Sequence, residues 1–306
     1  MKVGCTAWSF TEKGYGAPYE DAIKIVGQMG FKGVELIVWS EEDMNNYYTS
    51  SKIEELKRLV ASNGLVLSEV AIYDSVVEGL SSLDRVEKEK ALENFMRATK
   101  IAKELGSPLV NMVAQLPRGL RGPTSNPPHG VIYIQTGASK FSPKLKLSLP
   151  EDFDWDAIWN NYVDSIRQCT EIVADHGMKF ALEEHCHVIV PHTDSFLRLW
   201  DHVKMDALGC NFDTGWQFMQ REYLPMSIYK LKDRIFHVHV KDSDGLLSYG
   251  LPPGMGIIDW RGVVKALKDV GFNGFLSLEL SRYEDPSYID EGRRYLERVI
   301  SEVIGC

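Results

Sequence analysis

The sequence lacks the features of a membrane protein, a disulfide-stabilised protein and a general nucleic-acid binder. No apolar run among its 306 residues approaches the roughly 20 residues that a membrane-spanning helix requires. The five cysteines are widely spaced and form no CxxC pair, which argues against a disulfide framework or a cysteine-based zinc site. The net charge is −9, from 34 basic and 43 acidic residues, which disfavours nucleic acid and acidic membranes as partners. The opening segment, MKVGCTAW, has no signal-peptide pattern, so we expect a cytoplasmic protein.

Short apolar runs alternate with longer amphipathic runs along the whole chain, a pattern typical of β–α repeats. Glycines recur at the end of the amphipathic runs, where helices usually stop, and Asp259 is placed to cap a helix. No glycine-rich phosphate fingerprint follows the first strand, which disfavours a doubly wound open sheet. The pattern therefore predicts one domain over 1–306, a single (β/α)8 TIM barrel. The predicted strands are Lys2–Thr6, Gly33–Leu36, Leu65–Ala71, Leu109–Met112, Lys179–Glu183, Leu208–Asn211, Ile235–Val240 and Phe275–Leu280.

A long proline-rich insert at 116–150 follows the fourth predicted strand. It contains six prolines and five basic residues but no acidic residue, within a chain of net charge −9. In a barrel this insert leaves from the catalytic rim, where long loops are commonly lids or subunit contacts. We expect either a lid over the substrate or an arm that contacts another copy in a dimer or tetramer.

Each of the last four predicted strands finishes with a residue type that binds metals. These residues are Glu183, Asp213, His239 and Glu279, and they are separated by 30, 26 and 40 residues, about one β–α unit each. One acidic residue at a strand end is often only a helix cap or a solvated group. Four such residues at the ends of successive strands predict a shared site for a divalent ion. Mn²⁺ is the first candidate, with Mg²⁺, Co²⁺ or Zn²⁺ as alternatives.

Strand alternation indicates which neighbouring side chains share the site. In the seventh strand His239 and Lys241 lie on the same face near the rim, and His237 lies one layer deeper. In the fifth strand His185 shares the face of Glu183, so we expect it to contact substrate or to carry protons. Lys241 either holds a substrate oxyanion or pairs with the adjacent Asp242.

The motifs ALEEH, NFDTGW, HVHVKD, GMGIIDW, GFLSLEL and GFKGVEL resemble those of the xylose isomerase-like barrel superfamily. This superfamily includes sugar isomerases, ketose 3-epimerases, inosose dehydratases and endonuclease IV. The resemblance covers nearly the whole chain outside the insert at 116–150. It implies that Glu183, Asp213, His239 and Glu279 bind one Mn²⁺-type ion, and that Glu183 and Glu279 act as an acid/base pair.

The chemistry of such a pair predicts a metal-dependent isomerase or epimerase of a keto sugar or a related polyol-derived ketone. The hydrogen on the carbon next to a ketone is too weakly acidic for a carboxylate alone to remove it. A metal bound to the carbonyl oxygen makes removal possible because it stabilises the resulting enediolate by several kcal/mol. One carboxylate then removes the proton and the other returns a proton to the opposite face. The same enediolate can instead expel a substituent, so a dehydratase or lyase, inosose dehydratase-like or cleaving a 3-keto-glycoside, is the alternative.

The sequence departs from the epimerases at positions that contact substrate. Trp216 stands where they carry histidine, Ile189 replaces an acidic residue, and no arginine follows His239. Trp216 makes the predicted pocket more apolar, as do Trp8 and Trp39, and aromatic walls suit a sugar ring or an aryl glycoside. Glu35, at the end of the second strand, either binds substrate or is a buried structural carboxylate.

Two other classes of function remain open at this stage. An endonuclease IV-type nuclease would need extra histidines on the early strands, which the sequence does not have. A catalytically silent barrel that binds a partner would not need the full set of ligands. We therefore expect a carbohydrate substrate and a homo-oligomer.

Overall fold

The computed structural model contains eight parallel strands that close into a barrel in chain order. It describes residues 1–12, 14–73, 76–113, 149, 151–185, 188–245, 250–280, 283 and 285–305. The barrel closes where the first strand pairs with the eighth, with Lys2 opposite Phe275 and Cys5 opposite Leu278. The strands are β1 (Lys2–Thr6), β2 (Gly33–Val38), β3 (Val66–Ile72), β4 (Leu109–Val113), β5 (Lys179–Glu183), β6 (Leu208–Asp213), β7 (Ile235–Val240) and β8 (Phe275–Leu278). The predicted (β/α)8 TIM barrel is therefore confirmed.

Helices surround the barrel and pack their apolar faces on it. Asp84 and Asp154 begin two of them by accepting hydrogen bonds from backbone N–H groups of the first turn, and Asp259 caps a third as expected. Gly106 ends a helix with a φ of +84°, a left-handed conformation that glycine adopts without strain. The helices of the described residues are α1 (Glu20–Gln28), α2 (Ser50–Ser62), α3 (Arg85–Leu105), α4 (Trp155–Asp175), α5 (Thr193–Val203), α6 (Thr214–Met219), α7 (Leu224–Leu231), α8 (Trp260–Asp269) and α9 (Ser287–Ile304).

The hydrophobic core lies mainly between the strands and the surrounding helices. Phe95, Phe180 and Phe212 are fully buried there, and the rings of Phe95 and Phe180 meet edge to face at 5.5 Å. The inner faces of several strands instead carry buried acidic residues and histidines. Because buried charges must be paired or bind metals, this composition places the chemistry inside the barrel mouth.

Two features of the sequence prediction need comment here. The short helix α6, directly after β6, was not anticipated, because its six residues carry too little periodicity to stand out. The predicted insert at 116–150 lies outside the described residues except for Leu149, which is exposed, so its role as lid or subunit contact stays a prediction. Within the described part of the chain, none of the helices has the length and apolarity to cross a bilayer.

Candidate metal and catalytic site

The four predicted metal ligands lie together where strands β5 to β8 emerge. Glu183 ends β5, Asp213 ends β6, His239 lies near the end of β7, and Glu279 directly follows β8. One ligand atom from each lies within 4.8 Å of the others, and all four residues are buried. The β6–β7 register places Asp213 opposite His239, so the barrel's own hydrogen bonding sets this part of the geometry. We call these four residues the quartet.

The ring of His239 shows that the quartet fits a cation. Its Nε2 lies 2.9 Å from Glu35 Oε2 in a hydrogen bond, so Nε2–H donates to that carboxylate. Its Nδ1 lies 3.2 Å from Glu183 Oε2 and 2.9 Å from Glu279 Oε2, within ion-pair distance of both carboxylates. Burial opposes the charged ring, but these carboxylates and Glu35 raise the pKa of His239 well above its usual value, so Nδ1 carries a proton that a metal ion would have to displace. Three carboxylates and one imidazole are suitable donors for a divalent ion.

Glu183 is the most heavily hydrogen-bonded member of the quartet. Its Oε2 accepts from the Tyr73 hydroxyl, from Asn111 Nδ2 at 2.8 Å and from Asn211 Nδ2 at 3.2 Å. Its Oε1 lies 2.9 Å from Nε2 of His185. This network fixes the orientation of the carboxylate and favours its ionised form.

Electrostatics keep the two glutamates of the quartet ionised. Burial by itself would raise the pKa of Glu183, but His239 and His185 outweigh it and hold that pKa well below its usual value. Burial also opposes ionisation of Glu279, yet Lys241 and His239 lower its pKa to about 2. Both carboxylates are therefore available as proton acceptors and as ligands.

Lys241 places a buried ammonium group between two members of the quartet. Its Nζ lies 2.5 Å from Asp213 Oδ2 and 2.5 Å from Glu279 Oε2. It does not pair with Asp242, whose carboxylate points the other way and accepts hydrogen bonds from the loop that precedes α8 and from Trp260 Nε1 at 2.8 Å. Successive residues after β7 face opposite sides of the strand, so only Lys241 can reach the barrel interior.

Asp213 serves two purposes at once. Its Oδ1 accepts the backbone N–H of Trp216 at 2.8 Å and so caps α6, while its Oδ2 faces Lys241. The helix-cap interpretation and the metal-ligand interpretation of this residue are therefore compatible. The cap also holds the start of α6, and with it Trp216, against the mouth of the barrel.

A second acidic and histidine cluster lies beneath the quartet. Glu35 Oε1 lies 2.7 Å from His237 Nε2, and its other oxygen accepts from His239. Burial raises the pKa of Glu69 to about 7, and within the described residues neither of its oxygens has a hydrogen-bond partner. Of the two roles predicted for Glu35, substrate contact or buried structural carboxylate, its full burial and its bond to His239 favour the second.

Aromatic side chains enclose the quartet on two sides. On one side Trp8 Nε1–H donates to Glu279 Oε1 at 3.3 Å. On the other, the ring of Trp216 lies 4.5 Å from that of His185, and Lys241 Nζ lies 5.3 Å from the Trp216 ring centroid. The structure therefore brings Trp8, His185, Trp216 and Lys241 to the quartet.

Sequence analysis missed three residues of the site. Tyr73, Asn111 and Glu69 all belong to the early strands β3 and β4 or follow them directly, where no motif pointed to chemistry. The available signal was a polar residue at an inward position of an otherwise apolar strand, as in LSEVAIY and LVNMV. Such a residue needs a buried partner, which the sequence could not identify.

Comparison with known proteins identifies the family of this chain and relatives that are named as sugar-converting enzymes. Residues 23–299 match the family model described as the xylose isomerase-like TIM barrel. The chain is 24% identical over 323 residues to the inosose dehydratase of Clostridium botulinum (strain Alaska E43 / Type E3), covering 98% of this chain and 95% of that protein. It is 24% identical over 148 residues to the fructoselysine 3-epimerase of Escherichia coli O157:H7. That second alignment covers 47% of this chain and about half (52%) of the epimerase.

Among solved structures, the fold is similar to that of the D-psicose 3-epimerase of Clostridium cellulolyticum H10. The TM-score is 0.76 with 19% sequence identity, and the alignment covers 100% of both chains. At this identity the likeness concerns the fold alone.

Proposed function

Because the chain belongs to the xylose isomerase-like TIM barrel family, we propose that it is a divalent-metal-dependent isomerase or epimerase of a keto sugar or a related polyol-derived ketone. The observation that carries the proposal is that one ligand atom from each member of the quartet lies within 4.8 Å of the others, with all four residues buried in the barrel mouth. Glu183, Asp213, His239 and Glu279 would hold the ion, with Mn²⁺ as the first candidate and Mg²⁺, Co²⁺ or Zn²⁺ as alternatives.

The ion, when bound, supplies positive charge beside the substrate carbonyl, which contributes several kcal/mol to stabilising negative charge there. Glu183 is the base in our proposal. It begins ionised and takes the proton from the carbon next to the carbonyl, and the electron pair of the broken C–H bond becomes a C=C bond as negative charge moves to oxygen. Tyr73, Asn111 and Asn211 keep its carboxylate in place during this step.

The returning proton comes from the opposite side, where Glu279 lies. In the proposal Glu279 takes a proton from water and passes it to the carbon, while Lys241 Nζ, 2.5 Å from Glu279 Oε2, stays protonated and keeps this carboxylate in place. Glu183 gains one proton from the substrate, Glu279 passes on the proton that it took from water, and release of the Glu183 proton to water restores the starting state. Return to the opposite face of the carbon inverts it.

A dehydratase or lyase is the second candidate, and the nearly full-length similarity to an inosose dehydratase favours it. The first step, removal of the proton by Glu183, is the same. The outcomes differ only in whether the carbon is reprotonated or a neighbouring substituent leaves.

Cytoplasmic location and a dimeric or tetrameric state remain predictions.

The decisive experiment measures exchange of substrate hydrogen for solvent deuterium by NMR, with keto sugars and inososes as substrates and Mn²⁺ present. Exchange reports the shared first step whichever product forms. We expect Glu183→Gln to abolish exchange and Glu184→Gln to retain it. Glu184 is a matched control because it is the next residue along the chain, is equally buried and faces away from the barrel interior toward Cys210 and Gln217. Full exchange after exhaustive chelation, or in Glu183→Gln, would overturn the proposal.

A further inference from the structure

Three aromatic rings contact one another in series, and the first of them is bonded to a member of the quartet. Trp8, which follows β1, is bonded to Glu279 through its indole N–H and is buried. The ring of Tyr15 lies 6.1 Å from that of Trp8, and the ring of Trp39, just after β2, lies 4.7 Å from Tyr15. We call Trp8, Tyr15 and Trp39 the aromatic ladder.

Tyr15 has its backbone tied to its surroundings and part of its surface accessible, whereas Trp39 is partly buried. Tyr15 and Trp39 are stacked with an interplanar angle of 7°. The backbone carbonyl of Tyr15 accepts from the Tyr19 hydroxyl at 2.7 Å, and the same hydroxyl lies 3.1 Å from the carbonyl of Ile37 in β2. Tyr15 nevertheless remains 41% exposed. A fixed, half-exposed ring at the mouth of a barrel is suited to contact a ligand.

The ladder is longer than one sugar ring requires. Trp8 and Trp216 flank the quartet directly, through Glu279 and Lys241, and so suffice to enclose the ring that reacts. Among the described residues, Tyr15 is in ring contact with Trp8, and Trp39 with Tyr15, so these two rings lie one and two ring contacts away from the indole that bonds to Glu279. A substrate would contact Tyr15 and Trp39 only if it carried a further group attached to the reacting ring.

We propose that the natural substrate is a keto sugar that carries a second ring, and that this ring stacks on the outer part of the aromatic ladder, Tyr15 and Trp39. The proposal rests on the proposed function, because it identifies the class of keto sugar that the quartet acts on. Flat apolar faces are common to sugar rings and aryl rings, and either can stack on an aromatic side chain. The chemistry required is therefore a glycoside or ring conjugate of a keto sugar rather than the free monosaccharide.

The test compares three substrates that share the reacting ring and differ in the substituent. They are the 3-keto derivatives of methyl β-glucoside, phenyl β-glucoside and cellobiose, which carry no second ring, an aryl ring and a sugar ring. Deuterium exchange next to the ketone is measured on the metal-loaded protein. We expect kcat/KM to be about tenfold higher for at least one ring-bearing substrate than for the methyl glycoside, in line with the energy of aromatic stacking. The better of the two identifies the type of ring.

Variants of Tyr15 and Trp39 test whether the aromatic ladder causes the preference for ring-bearing substrates. Tyr15→Ala and Trp39→Ala should bring the ratio between ring-bearing and methyl substrates close to one, and Tyr15→Phe should preserve it because the ring remains. Tyr229→Ala is the matched control, since this tyrosine is 44% exposed on the outer helix α7 and bonds to Asp269. It should change neither the rates nor their ratio.

Two results would overturn the inference: equal kcat/KM for all three substrates in the unsubstituted protein, or an equal loss for all three in Tyr15→Ala. Absence of exchange with every substrate would instead count against the proposed function. In that event calorimetric binding of the same three sugars still tests the ladder, because equal affinities would refute it and a preference that Tyr15→Ala removes would support it.

Discussion

Replacing Lys241 with methionine tests the electrostatic structure of the quartet most directly. Lys241 Nζ lies 2.5 Å from one oxygen of Asp213 and 2.5 Å from one oxygen of Glu279, and all three groups are buried. At an effective dielectric constant of about 20, each contact corresponds to a gross Coulomb energy of about 7 kcal/mol. Much of this is cancelled by the cost of burying the ammonium group. Loss of one partner from a buried ion pair typically destabilises a protein by about 3–5 kcal/mol.

We expect metal-free Lys241→Met to lose stability of this order, which for a chain of 306 residues lowers Tm by roughly 5–8 °C. Methionine has a similar length and leaves the two carboxylates without their ammonium partner. A divalent ion bound to the same carboxylates restores the missing positive charge. The increase in Tm on addition of Mn²⁺ should therefore be larger in the variant, and the ion should bind at least about tenfold more tightly because a like charge has been removed.

The assay is differential scanning calorimetry after chelation, with and without added Mn²⁺. Lys265→Met is the control, because this lysine pairs with Asp269 on the surface with 65% of its side chain exposed, and such pairs contribute about 1 kcal/mol or less. The reasoning fails if metal-free Lys241→Met is as stable as the unsubstituted protein, or if both gain the same increase in Tm from Mn²⁺.

Two further predictions concern buried glutamates near the quartet. Glu35→Gln should weaken metal binding about 10–100-fold, because the anionic carboxylate that holds Nε2–H of His239 is lost. Competition with a fluorescent chelator measures the Kd for the metal, and an unchanged Kd contradicts the prediction. Glu184→Gln should grow more stable relative to the unsubstituted protein as pH rises, because burial raises the pKa of Glu184 well above its usual value. A carboxyl with a raised folded-state pKa binds its proton more tightly in the folded protein, so stability falls as pH rises above the unfolded pKa of about 4.3, by at most about 1.4 kcal/mol per pH unit. Tm of both proteins measured from pH 5 to about 8 tests this prediction, and a constant difference between them would contradict it.

Much of the barrel could be predicted from local sequence pattern. The alternation of apolar strands and amphipathic helices gave strand positions that match the structure to within two residues at nearly every end, and Asp259 caps α8 as its position indicated. These features depend on residues close together in the chain. Strand and helix periodicity, caps and terminal glycines are local, so one sequence contains them.

The site could be predicted only in part. Because parallel strands in a barrel expose their carboxyl ends at one rim, four metal-binding residue types at successive strand ends were enough to predict the quartet. The partners of Glu183 could not be found in this way. Tyr73 and Asn111 are 110 and 72 residues away from it in the chain, and no spacing rule connects them.

Counting along the strands is enough to show which strands carry residue types that can bind metals and which side chains share a strand face. The pairing of Lys241 with Asp213 and Glu279, the contact of Glu35 with His239 and the stacking of Tyr15 on Trp39 depend on the folded barrel. Each of these contacts joins different strands or loops across the closed barrel. Their distances depend on how the strands curve and close together, which no local pattern encodes.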